Sequence, residues 1–325
     1  GRGYLPRRMV FSRLISSLMT VGCGGAAGLE GPIVVSGAAV GSAVARLFRI
    51  AEQRRALLIA CGTSGAIAGI FNAPLTGLIF SLEVILGEWK AKNLVPTVTA
   101  AAIATQVSRS LMGNKIPFPG QEILHQIQDL PAFAFLGLVC AVAGLIFVRL
   151  LHHSQRLFQR IKMPIYLVPG LGGLGVGLIA LFCPQAMGEG YAEIRAFLTG
   201  QLNSGIWFVA LILAMRYLTT SLTLGSGGAG GVFAPCLIIG SAVGLLYGHL
   251  VHALAPSQAF AHPAAYALVG MAGMVAGIMC APLTGMFLVL EICGGYDLIL
   301  PLMLCSLVAM FAYRLMGEES IYTRD

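Results

Sequence analysis

The sequence predicts an all-helical, polytopic membrane protein built from two halves of inverted topology, with short helices that in part do not cross the bilayer. Three observations carry that expectation. The 325 residues are 57% hydrophobic and only 10% charged, against about 25% charged in soluble domains. The apolar runs are long and do not alternate, which argues against a β-barrel. Two blocks of sequence recur, in the same order, in both halves.

The first block is a glycine run, one glutamate and a proline: Gly22-Cys23-Gly24-Gly25-Ala26-Ala27-Gly28-Leu29-Glu30-Gly31-Pro32. From 22 to 225, a step of 203, it recurs as Gly225-Ser226-Gly227-Gly228-Ala229-Gly230-Gly231-Val232-Phe233-Ala234-Pro235. Gly37, Val40 and Gly41 recur at the same step as Gly240, Val243 and Gly244. Phe233 stands where Glu30 does. The second block is Asn72-Ala73-Pro74-Leu75-Thr76-Gly77 leading to Leu82-Glu83, repeated as Cys280-Ala281-Pro282-Leu283-Thr284-Gly285 leading to Leu290-Glu291. Its step is 208, from 74 to 282, so five residues are inserted between the blocks.

In chain order, residues 1–13 carry Arg2, Arg7, Arg8 and Arg13, and residues 14–28 are apolar and glycine-rich. Helices are expected at 32–48, 56–70, 74–87 and 94–112, then a polar loop over 113–130. Apolar segments follow at 131–151 and 164–183, a short mixed stretch at 184–203, and helices at 205–224, 233–254, 264–279, 282–293 and 297–316. A simple crossing needs about 20 residues, and several of these are shorter. Short, Gly/Pro-interrupted segments at matching places of two halves point to a binding site at the midplane.

The charges set the orientation. Arg46, Arg49, Arg54 and Arg55, then Lys90 and Lys92, then Arg149, Arg156, Arg160 and Lys162 form three clusters, each two apolar segments from the next. All three fit one side, the cytoplasm by the positive-inside rule. The matching loops of the second half, His249 to Pro263 and Ile292 to Pro301, carry no lysine or arginine, so that half reads as flipped. The net charge of +7 belongs to this bias and not to nucleic-acid binding. The expected division is 1–130, the remainder of a first half, and 131–325, the inverted second half. The opening at Gly1 reads as the middle of a longer chain.

Glu30 is an ionisable group in apolar surroundings, a costly placement that marks function. Two helix starts facing one glycine-lined point would hold an anion on backbone N–H groups at positive dipole ends. Weak binding of this kind suits conduction. Ionised Glu30 would compete with the anion and, when protonated or displaced, leave the site free. Close helix packing is the bland reading of the glycines. Glu83 and Glu291, at the ends of paired short helices, suit either a proton relay or a structural cap. Arg216 reads as structural, against a carboxylate or a helix C-terminus. None of the six histidines reads as a ligand, and the eight cysteines, with no metal spacing, read as small core residues. Gly62-Thr63-Ser64-Gly65 is a GxSG string of the kind found in intramembrane serine proteases. Because Gly65 and Gly69 recur as Gly273 and Gly277 while Ser64 becomes Ala272, packing is the better reading, and no enzyme activity is expected.

At these residues the chain resembles the CLC family of chloride channels and chloride/proton antiporters. Gly28-Leu29-Glu30-Gly31-Pro32 is similar to that family's GxEGP motif and Gly231-Val232-Phe233-Ala234-Pro235 to its GxFxP motif. The Ala-Pro-Leu-Thr-Gly…Leu-Glu helices and Ser320-Ile321-Tyr322 also match. The resemblance implies a CLC-type inverted repeat, a homodimer in the lipid bilayer, chloride or a similar anion as cargo, and no cofactor. It implies Glu30 as gate and backbone amides near Glu30, Gly31, Val232 and Phe233 as anion ligands. The Tyr322 hydroxyl would face the central anion, and Gly28, Leu29, Pro32, Gly231 and Pro235 would border the pore.

Three departures shape the functional expectation. The family's GSGxP motif has no match here, which fits an N-terminally incomplete chain, and no CBS-type domain is expected. Leu29 stands where the motif carries Arg or Lys, weakening the positive potential at the outer mouth, with Arg13 as a partial substitute. Val84 stands where related antiporters carry a second, proton-carrying glutamate, one place after Glu83. The expected function is therefore a passive, voltage- or pH-gated chloride channel with Glu30 as gate. A chloride/proton antiporter using another proton route, through Glu83 or water, is the alternative, and a fluoride-selective variant or an intramembrane protease is more remote. The expected location is a bacterial inner membrane.

Overall fold

In a computed structural model, residues 5–114, 118, 129–201, 205–255 and 260–322 are described. Most of the expected 113–130 loop, with His125, lies outside them. Thirteen α-helices form among the described residues. In the first half they are α1 (Met9–Gly22), α2 (Glu30–Leu47), α3 (Glu52–Phe71), α4 (Pro74–Phe80) and α5 (Ala91–Met112). There follow α6 (Leu130–Gln159), α7 (Val168–Phe182), α8 (Tyr191–Thr199), α9 (Ile206–Gly225), α10 (Phe233–Leu254), α11 (Pro263–Met279), α12 (Pro282–Cys293) and α13 (Ile299–Leu315). Four of these, in α3, α6, α9 and α10, are long and apolar enough to cross a bilayer; the others are shorter or less apolar.

The repeat is a packing device. On α2 and α3, Gly37 and Gly62 meet back to back: a Cβ on either would lie 2.3 or 2.1 Å from the other's carbonyl oxygen. The pair recurs between α10 and α11 as Gly240 and Gly270, at 2.5 and 2.4 Å. Helices this close need a residue without a side chain at the crossing. α3 and α11 then end on left-handed Asn72 (φ 56°) and Cys280 (φ 52°), and a proline at the first position opens α4 and α12. Proline is favoured there because its missing N–H would have no partner.

The two halves clasp each other reciprocally. The Glu83 carboxylate accepts the N–H groups of Leu283 and Thr284 at the start of α12, at 3.2 and 2.7 Å. Glu291, at the end of α12, accepts those of Leu75 and Thr76 at the start of α4, at 2.9 and 2.7 Å. Each equivalent helix therefore ends where the other begins, so the pair runs antiparallel and the topology is inverted. The basic clusters accordingly share one side. Lys90 follows α4, the α2–α3 turn carries Arg46 and Arg49, and Arg149 on α6 lies 4.0 Å from Glu318 beyond α13.

Several expected boundaries shift. The helix expected at 74–87 is α4 only to Phe80, then a π-helical turn, Ser81–Leu86. Glu83 lies in this turn, whereas its counterpart Glu291 makes the matching contacts from an uninterrupted α-helix. α6 continues to Gln159, about 45 Å in all, because its polar last turns lie beyond the apolar stretch that defined 131–151. α7 starts at Val168, not 164. α1 and α8 were not expected: the first straddles a basic and an apolar stretch, and the second is only 9 residues long.

Candidate functional site

The glycine runs bring the two repeat blocks into direct contact at the centre of the fold. Gly28 and Gly231 exchange two backbone hydrogen bonds, at 2.9 and 2.7 Å. A Cβ on Gly231 would lie 2.8 Å from the nitrogen of Gly31. α2 and α10 both start here, at Glu30 and Phe233. The first-turn N–H groups of a helix lack intrahelical partners. Pro32 and Pro235, both buried, remove one such donor from each start and leave those of the first two residues of each helix. The structure thus brings together Gly28, Glu30, Gly31, Pro32, Gly231, Val232, Phe233 and Pro235. Leu29 sits among them, half-buried.

Glu30 is 1% exposed. A Cβ on Gly28 would fall 2.0 Å from its Oε2 and 3.1 Å from the Ala234 nitrogen. The carboxylate therefore fills the space that glycine leaves between the two helix starts. Its Oε1 accepts a hydrogen bond from the Tyr191 hydroxyl at 2.5 Å. Phe233 turns away, into Phe71 and Phe80, with ring centroids 5.6 and 6.5 Å off.

A cavity of about 810 Å³ reaches Glu30, Gly31, Val232 and Phe233 and extends to Val84 and Tyr322. A second, of about 560 Å³, is lined by Glu83, Val84, Arg314, Glu318 and Tyr322 among others. Val84 and Tyr322 border both, so they divide them. Tyr322 is 46% exposed. Glu83 is held at the second cavity by its two bonds to α12 backbone and a third from the Thr284 hydroxyl, at 2.7 Å.

Three sequence readings need correction or completion. Arg13 lines the larger cavity, but α1 starts beside the basic end of α2, where Leu5 N–H donates to the Ser42 hydroxyl at 3.1 Å. Arg13 is thus on the side of the basic clusters and cannot replace a cation at the outer mouth. Arg216 is structural and sits at a helix C-terminus: its Nη1 donates at 2.7 Å to the carbonyl of Met187, the residue that closes the short 3-10 helix Pro184–Ala186. Ser64 is fully buried and its hydroxyl donates to the carbonyl of Thr97 at 3.0 Å, a packing contact.

Sequence reasoning missed Tyr191. Only a Gly188-Glu189-Gly190 turn before an aromatic residue marks it, and nothing in the spacing ties it to a glutamate 161 residues earlier.

The sequence pattern of the family described as "Voltage gated chloride channel" matches residues 1–314. The chain belongs to that family. Within the voltage gated chloride channel family it is 34% identical over 331 residues to a ClcB-like protein of Ralstonia nicotianae, covering 100% of this chain and 76% of the relative. It is 34% identical over 327 residues to the H(+)/Cl(-) exchange transporter ClcA of Vibrio parahaemolyticus, covering 98% of this chain and 69% of the relative. The crystal structure of a slow cyanobacterial Cl-/H+ antiporter superposes with a TM-score of 0.86 at 29% identity, covering 98% of this chain and 76% of that one. Family membership makes this an integral membrane protein.

Proposed function

We propose that the protein moves chloride or a similar small anion across a bacterial inner membrane, as a homodimer, with Glu30 as the gate. The two halves, 1–130 and 131–325, supply one facing helix start each. The observation that carries the reading is the Glu30 carboxylate, buried between two helix N-termini at the end of the larger cavity. An anion and an ionised carboxylate compete for the same donors, so passage requires Glu30 to withdraw or to lose its charge. Backbone N–H groups of Glu30, Gly31, Val232 and Phe233 hold the anion, and Tyr322 stands at the divide between the cavities.

Passive flow is the first reading. Val84 borders both cavities and has no proton to exchange, and Glu83 beside it is engaged as a helix cap. A proton-coupled exchanger is the second, favoured by relatives named as exchangers; its proton would pass Val84 by water or through Glu83. Chloride efflux from liposomes, recorded together with proton movement, separates the two. Efflux without uphill proton movement supports the passive reading, and coupled pumping supports the second. Glu30→Gln is expected to raise efflux and to abolish its increase on acidification, because a neutral side chain no longer competes with chloride. Unchanged, acid-sensitive efflux in Glu30→Gln removes the gating role.

A further inference from the structure

We propose that Tyr191 is a latch that holds the Glu30 carboxylate in the pathway, and that the turn before α8 exists to present it. The proposal rests on the gating reading and names the residue that sets how firmly the gate is held. A phenol donating to a carboxylate favours the position in which that carboxylate blocks the site, and the 2.5 Å bond joins Tyr191 on α8 to Glu30 on α2.

The latch is braced from three directions. Arg216 donates to the Met187 carbonyl at 2.7 Å, and the Thr219 hydroxyl to that of Ala186 at 2.8 Å, so α9 fixes the incoming strand of the turn. Gly188 N–H approaches the Gly24 carbonyl at 3.4 Å, tying the turn to the first glycine run. Gly190 has φ of +90°, and a Cβ there would meet Nη2 of Arg216 at 2.2 Å, so the turn lies directly on the guanidinium. The Tyr191 ring packs on Phe118, with centroids 6.0 Å apart.

The approach is from the far side of the gate. Phe118 N–H donates to the Ile292 carbonyl at 3.0 Å, at the end of α12 remote from the basic clusters. Tyr191 does not line the larger cavity; Glu30 lies between the two. The carboxylate is therefore held on one side by the phenol while an anion approaches from the other. A bond of this kind lowers the fraction of molecules with a free site, and apparent anion affinity falls with that fraction.

The test is chloride binding to the detergent-solubilised protein by titration calorimetry, which needs no flux, in the parent, Tyr191→Phe, Glu30→Gln and the double variant. Tyr191→Phe keeps the ring and its packing and is expected to bind chloride roughly tenfold tighter, the lower range of what a hydrogen bond to a charged acceptor contributes. In the Glu30→Gln background, where the phenol can donate only to a neutral amide oxygen, the same change is expected to have a much smaller effect. Gly190→Ala, which displaces the turn with the phenol intact, is expected to tighten binding in the same direction. If Glu30→Gln tightens binding and Tyr191→Phe does not, the latch is overturned and the gate survives. If Tyr191→Phe acts equally with Gln at position 30, its effect is structural and the latch is again overturned. If Glu30→Gln changes neither binding nor efflux, the gating reading itself fails and the latch falls with it.

Discussion

Replacing Glu83 with alanine is expected to destabilise the protein more than the same change at its repeat partner, Glu291. Both carboxylates accept two backbone N–H groups and one threonine hydroxyl. For Glu83 the distances are 3.2, 2.7 and 2.7 Å, and for Glu291 they are 2.9, 2.7 and 2.6 Å. A hydrogen bond to a charged group contributes about 1.5–3 kcal/mol, and a buried donor left without a partner costs about 1–3 kcal/mol. Simple addition overstates the loss, because the carboxylate also gave up hydration and water from the second cavity can reach the vacated start of α12. About 2–4 kcal/mol remains for Glu83→Ala. At the other cap, Leu75 is 40% exposed, so solvent takes over more of the freed donors and the cost falls to about 1–2 kcal/mol. Equilibrium unfolding of the solubilised protein in SDS, followed by circular dichroism, measures both. The reasoning is refuted if Glu83→Ala stays within about 0.5 kcal/mol of the parent, the scatter of neutral surface changes, or if Glu291→Ala costs more. A null effect at Glu83 would return it to consideration as a proton carrier, and a larger cost at Glu291 would overturn the role assigned to solvent at the exposed cap.

Other substitutions separate packing from transport. Ser64→Ala removes one hydrogen bond to Thr97, about 1 kcal/mol, and is expected to leave chloride efflux intact; complete loss of efflux would revive a chemical role for the GxSG string. Gly62→Ala places a methyl 2.1 Å from the Gly37 carbonyl oxygen and is expected to cost about 1–3 kcal/mol or more through overpacking, seen as loss of monodisperse protein on size exclusion. Leu29→Arg restores a cation beside the gate and is expected to raise anion flux at low salt, with the gain fading as ionic strength rises. A flux independent of that substitution would show that local potential does not limit entry.

Much of the architecture was legible because repetition and charge are properties of sequence. The two blocks fixed which helices are equivalent, and the basic loops of the first half, matched in the second by loops without lysine or arginine, indicated that the halves are inverted. Glu30 stood out because an ionisable group among glycines and apolar residues is costly without a use. Helix limits were less legible where periodicity was thin, as in α1, α8 and the π-helical turn after Phe80.

What the sequence by itself determined, then, is the membrane class, the paired helix starts and the one carboxylate between them, since these follow from composition and local spacing. Only the tertiary structure decided what that carboxylate touches. Tyr191 meets Glu30 because the turn before α8 is held on α9 by Arg216, Glu83 becomes a cap because α4 and α12 pack with the end of each at the start of the other, and Arg13 falls on the basic side because α1 lies along α2. These contacts join residues far apart in the chain. Their geometry is set by how helices pack through glycine crossings, which no local pattern records.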